Sequence, residues 1–175
     1  MAKKAQLNIR LDGKTLAIFN DIAKQMNLSP GTLGTQVVTQ WVKFYYYKMQ
    51  RGDVTLSKQV LSKFLEVLDK KRIEEAAMYA AKVMMDDIKT QKGNKITYQT
   101  LVDHILKWNK GNHLIFNKIE KDNCDMFLSK HDLGYNWSEL ECKIYAKVFQ
   151  SIGQTVINTE FEDNIFSFEV VRHKK

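Results

Sequence analysis

The stretch Gln6-Leu7-Asn8-Ile9-Arg10-Leu11 alternates strictly between polar and apolar residues. Successive side chains of a strand point to opposite faces, so this period predicts a strand over about Ala5–Leu11. One face would bury Leu7, Ile9 and Leu11, and the other would present two amides and a guanidinium. Outward from it the period changes. Leu16, Phe19, Ile22, Ala23 and Met26 recur at helical spacing behind Asp12, a capping residue, and Asn27 supplies a stop. Ser29-Pro30 then reads as a cap hydroxyl followed by proline at the first helical position, where a missing N–H costs nothing. A second helix runs from there toward Gln50, with Gly52 as its end and Leu33, Val37, Val38, Trp41 and Val42 on a broad apolar face.

A lone strand of this length has two unpaired edges, and two short helices cannot bury its apolar stripe in a unit of about fifty residues. The economical answer is a twofold dimer, with the strand paired antiparallel to its copy and four helices packed beneath the ribbon. The order strand, helix, Ser-capped helix, with Gln-x-Asn-x-Arg on the strand, resembles the Arc-like ribbon-helix-helix DNA-binding domains over about residues 4–50. The resemblance implies a two-stranded ribbon lying in the major groove. It also implies that Gln6, Asn8 and Arg10 face base edges, where amides match adenine and guanidinium matches guanine. Ser29, Gly31 and Thr32, at a helix start rich in N–H groups, would hold a backbone phosphate, and Lys3 and Lys4 would reach the backbone as an arm. Gly34 departs from the pattern, since such domains place a larger core side chain there; Leu33 or Trp41 is expected to fill the space.

The charge is distributed unevenly. The 175 residues carry a formal net charge of +7. Residues 1–52 hold eight basic and two acidic side chains, a net of +6, which leaves +1 for residues 53–175. A concentrated excess of this kind suits a polyanionic partner. The division gives a DNA-binding and dimerisation domain over 1–52 and an effector, sensing or assembly domain over 53–175. The N-terminus lacks the apolar run of a signal peptide, and no stretch approaches the roughly 20 apolar residues of a bilayer span. The expectation is a cytoplasmic protein without membrane contact. Cys124 and Cys142 form no C-x-x-C pair, which argues against both a disulfide framework and a thiolate zinc site.

Beyond Gly52 the pattern predicts three helices: one capped by Thr55 and bearing Leu56, Val60, Leu61, Phe64 and Leu68, one over Ile73–Thr90, and one capped by Thr97. From His113 the period falls toward two, giving a hairpin about Lys121-Asp122-Asn123. Asn136 with Glu139 resembles a capping box opening a helix that ends at Gly153, and a second hairpin turns at Glu162-Asp163-Asn164. The whole is α+β: a β-α-α head forming an intertwined dimer, then ααα-ββ-α-ββ with a mostly antiparallel four-stranded sheet.

No nucleophile with an oriented base is legible, and His104, His113, His131 and His173 are scattered without metal-ligand spacing. No catalytic residue, metal or cofactor is assigned, and the chain is not expected to be an enzyme. The segment His131–Ser138 reads first as a sharp strand-to-helix connection, with Gly134 at positive φ and Trp137 plugging the core. Its functional reading is a ligand pocket lined by His131, Tyr135 and Trp137. The expected function is a homodimeric, sequence-specific transcriptional regulator, repressor-like, whose second domain takes a small ligand or a protein or joins dimers into higher oligomers. Two rivals are an antitoxin-like DNA-binding protein whose C-terminal part holds a protein partner, and a nucleic-acid-modifying enzyme with a DNA-targeting head.

Overall fold

The computed structural model of the protein describes residues 6–93 and 95–172. The chain divides into two compact units, Met1–Asp53 and Val54–Lys175.

In the first unit, Asp12 accepts a hydrogen bond from the Thr15 N–H and opens α1 (Gly13–Gln25). The helix is closed by Asn27 at φ 54°, whose left-handed backbone lets the Leu28 N–H reach back to the Ala23 carbonyl. Ser29 caps α2 (Pro30–Gln40) with proline in the first turn. The expected long helix does continue from there, but through a wide π turn at Trp41–Tyr45 before α3 (Tyr46–Arg51) and the left-handed Gly52. At Gly34 the Phe19 ring approaches the space, its Cζ 3.8 Å from where a Cβ would stand, and Trp41 does not come within 4 Å of that point. The expected strand is not seen: residues 6–12 belong to no β-ladder in the single chain. A strand is defined by its partner's hydrogen bonds, and the head offers no second strand of its own among the described residues.

The second unit is a mixed helical and sheet structure. Ser57, not Thr55, caps α4 (Lys58–Glu66). Asp69 caps α5 (Lys70–Lys92), which begins before Ile73 because its first turn is basic and outside the apolar stripe. Thr97 caps α6 (Tyr98–Gly111). Then follow β1 (Ile115–Glu120), β2 (Cys124–Lys130), α7 (Tyr135–Ser151), β3 (Val156–Glu162) and β4 (Ile165–Val171). The four strands form one antiparallel sheet in the order β1-β2-β4-β3. Helix α6 packs on β1, α7 on β3 and β4, and α5 on α7. Phe116, Phe127, Phe166, Phe168, Tyr145 and Phe149 form an aromatic core between helices and sheet, Phe127 and Phe168 stacking at 5.0 Å. Leu65, Ile73, Ala77 and Leu140 make a smaller cluster where α4 and α5 meet α7. The capping box at Asn136 does not form. Gly134, at φ 84°, precedes the helix, and the Asn136 amide instead donates to the Leu65 and Leu68 carbonyls at 2.7 and 3.1 Å. Those carbonyls lie in and just beyond the last turn of α4, where carbonyls run out of full helical pairing, the Leu65 carbonyl also taking the Leu68 N–H at 3.0 Å.

Candidate nucleic-acid interface

The candidate interface begins with the segment before α1. Gln6, Asn8 and Arg10 are all exposed, and the Gln6 amide donates to Asn8 Oδ1 at 3.2 Å, which places these two side chains on one side of the backbone. Leu7, Ile9 and Leu11 are exposed as well, at 68%, 59% and 43%. A polar face and an apolar face are therefore both open to solvent in the single chain. Lys3 and Lys4 lie outside the described residues.

The second component is the start of α2. Ser29 Oγ accepts the Thr32 N–H at 3.1 Å and shares a hydrogen bond with Thr32 Oγ1 at 2.8 Å. The Leu33 N–H is taken by the Ser29 carbonyl, and the Thr35 hydroxyl donates to the Gly31 carbonyl. Ser29, Gly31 and Thr32 are all exposed, the two hydroxyls bonded to each other, at a helix end that carries partial positive charge.

Beneath these surfaces the unit has little interior. Ala23 and Leu33 are its buried apolar residues among those described. Leu16, Ile18 and Ile22 of α1, Met26 at its C-terminal cap, and Val37, Trp41 and Val42 of the following helix are all more than 40% exposed. Each such side chain, about half exposed, forgoes on the order of half the roughly 1.5–3 kcal/mol that going from full exposure to full burial provides. Tyr45, Tyr46 and Tyr47 are similarly open, with Tyr46 against Trp41 at 5.7 Å and Tyr47 against Tyr46 at 5.5 Å.

In the second unit, His131 and Trp137 come together while Tyr135 departs. The Leu133 N–H donates to His131 Nδ1 at 3.2 Å, so Nε2 carries the proton and donates to Ser138 Oγ at 2.8 Å. Both ring nitrogens are engaged, and burial pushes this histidine's pKa down to about 4. Trp137 stands edge-on to it with ring centroids 6.5 Å apart, whereas Tyr135 turns its ring to Phe161 at 5.6 Å. The arrangement locks a connection; it does not converge three polar tips on one space.

A buried polar chain behind that connection has no signature in the sequence. Asn109 of α6 donates to the Tyr145 hydroxyl at 2.8 Å, and that hydroxyl donates to Glu141 Oε1 at 2.7 Å. Asn109 and Tyr145 are 36 positions apart, so only the packing of α6 against α7 reveals the pair. Burial pushes the Glu141 carboxyl up to about 7, against the opposing pull of the Tyr145 hydroxyl and the Trp137 indole. At the far end of the sheet, Asp125 is buried among Lys118 at 2.9 Å, Arg172 at 3.3 Å and the Tyr98 hydroxyl at 2.5 Å. This is a closed ionic cluster that ties β1, β2 and α6 to the C-terminal end of the described chain. Both cysteines are free thiols, and burial pushes Cys142 up to about 12, away from nucleophilic use.

No protein-family model matches this sequence, and no curated protein matches it. Among the described residues no group of His, Cys, Asp or Glu is placed to hold a metal ion, and no helix is long and apolar enough to cross a membrane.

Proposed function

We propose that residues 1–52 act as a ribbon-helix-helix unit that dimerises and reads DNA in the major groove, and that the protein is a sequence-specific, repressor-like transcriptional regulator. One observation carries this reading. The head leaves Leu7, Ile9, Leu11 and the outer apolar residues of both helices exposed, and Gln6, Asn8 and Arg10, exposed as well, alternate with the first three along the segment before α1. A second copy paired along residues 6–11 would bury the first set and leave the second set outward as a ribbon. An α-helix or a two-stranded ribbon is what the major groove admits, and amides and guanidinium are the groups that match its adenine and guanine edges with two bonds each. Ser29, Gly31 and Thr32 would clamp a phosphate and fix register, and the net charge of +6 on residues 1–52 would be doubled in the dimer. The second unit would then be the part that senses or assembles.

The test is selection of bound sites from random duplex DNA by the full chain, at two salt concentrations, beside Arg10→Ala. A recurring twofold-symmetric site for the native chain, and loss of preference at defined positions in the variant, are expected. The log affinity should fall with log salt by about 0.9 per phosphate neutralised. Recovery of random sequence by the native chain, or the same preference in the variant, would sink the base-reading roles.

A further inference from the structure

Helix α5 carries two stripes at helical spacing. One, with Ala77, Ala81 and Ile88, is buried; beside it run Met78, Lys82, Met85 and Lys89, methionine and lysine in turn. Together with Lys147, Ser151 and Ile152 at the end of α7, this second stripe lines a groove of about 610 Å³, a size within the roughly 300–1,000 Å³ of small-molecule sites. Its more deeply placed lining, Ala81, Met85, Ile96 and Ile152, is apolar and belongs to the aromatic core or packs against it. Met78 lies in the same lining and is 52% exposed. Methionine adapts its shape to what it meets, which suits a wall that closes on an apolar chain.

The charged part of the lining is unbalanced: Lys82, Lys89 and Lys147 stand against Asp86 alone. Lys147 is held at 2.5 Å by Glu74, which lies outside the lining and also takes Lys143 at 2.7 Å, so one carboxylate serves two ammonium groups. Lys89 is 3.7 Å from Asp86. Lys82 has no carboxylate within ion-pair distance among the described residues. A face meant for the protein interior would carry no lysine, and a face meant only for water would not keep methionine and isoleucine between its charges. We propose that this groove binds a small anionic amphipath, an alkyl chain ending in a carboxylate or phosphate, with the chain on Met78, Met85 and Ile152 and the head at Lys82. The pairing with Glu74 fixes Lys147 in place and leaves Lys82 as the cation to be neutralised. Such a site gives the second unit something to sense, and because it lies wholly within that unit its failure would leave the head's reading of DNA standing, and the reverse.

The test is calorimetric titration of the full chain with octanoate and octyl phosphate, beside octanol and butyrate. Saturable one-to-one binding of at least one of the two octyl anions is expected, the tighter one identifying the head. Octanol keeps the chain and lacks the charge, and should bind at least tenfold more weakly. Each methylene buried should tighten binding about fourfold, so butyrate, four methylenes shorter than octanoate, should also bind at least tenfold more weakly than octanoate. Lys82→Met keeps an apolar stem and removes the ammonium; it should weaken the octyl anion at least tenfold, whereas Lys70→Met, on the exposed first turn of α5, should not. Full chain with labelled methionine methyls locates the ligand: the Met78 and Met85 resonances should move on titration and that of Met126, on the sheet, should stay. No saturable binding of either anion, equal binding of octanol, indifference to Lys82→Met with circular dichroism unchanged, or shifts at Met126 without shifts at Met78 and Met85 would overturn the proposal.

Discussion

The two units of this chain solve the burial problem in opposite ways. Val54–Lys175 encloses Phe116, Phe127, Tyr145, Phe149, Phe166 and Phe168 between a sheet and two helices, all at or below 9% exposure. Met1–Asp53 buries Ala23 and Leu33 and leaves Ile9 59% and Trp41 47% exposed. Apolar surface in water is a standing cost, so the first arrangement describes a unit with a core of its own and the second a unit with open apolar faces, such as the proposed dimer would cover. Helix capping is equally good in both, at Asp12 and Ser29 in the head and at Ser57, Asp69 and Thr97 in the body. What differs is the presence of partners for the apolar faces.

The largest expected effect breaks this comparison in the head. Ile9→Lys should abolish DNA binding by at least a hundredfold in a polarisation titration and melt the head by circular dichroism, although in the single chain this side chain touches little. The thermal transition of the body should be unmoved. A head that stayed folded with a lysine at position 9 would mean that the face needs no partner.

Next is the body's own core. Phe168→Ala removes a ring stacked on Phe127 and Phe166 and should cost about 3–5 kcal/mol in denaturant unfolding, with head dimerisation retained. Loss of both together would show that the two units do not fold independently.

A smaller effect comes from Glu141. Its folded pKa, near 7, exceeds the ordinary 4.5, so the folded state binds a proton that the unfolded state releases more readily. Stability is accordingly full below about pH 4.5 as far as this group is concerned, and is lost as pH rises through about 7; at about 1.36 kcal/mol per unit the loss approaches about 3 kcal/mol at pH 8. Glu141→Gln should remove that fall, making the variant the more stable chain at pH 8 and leaving the two similar near pH 5, as read by urea unfolding. His131 acts in the opposite direction. Held neutral with its pKa near 4, it costs stability as pH drops from 6.5 toward 4, and His131→Asn should flatten that limb.

Much of the body was legible because its signals are local. Period-two runs about Lys121-Asp122-Asn123 marked one hairpin, Asp163-Asn164 marked the other, and Thr97 and Gly153 bounded helices where they were expected. The misreadings arose where a residue is claimed by a distant neighbour. Asn136 belongs to the end of α4 and not to its own helix start. Ser57 outcompetes Thr55 by standing next to the helical segment itself. The chain from Asn109 through Tyr145 to Glu141 joins two helices, so no spacing along the sequence announces it. In the head the alternation of residues 6–11 is plain, but these residues join no ladder in the single chain, and the proposed pairing would take its partner from a second copy.

The most direct test is therefore a measurement of contact between copies. Full chains with labelled leucine and isoleucine methyls, mixed with unlabelled chains, would be examined by isotope-filtered nuclear Overhauser spectroscopy. Cross-peaks between the methyls of Leu7, Ile9 and Leu11 on one copy and those on another are the expected result, since paired strands place same-face side chains about 4.5–5.5 Å apart at Cβ. Purely intramolecular peaks from these three residues, or random-coil shifts in a head that still binds DNA with sequence preference, would contradict the account.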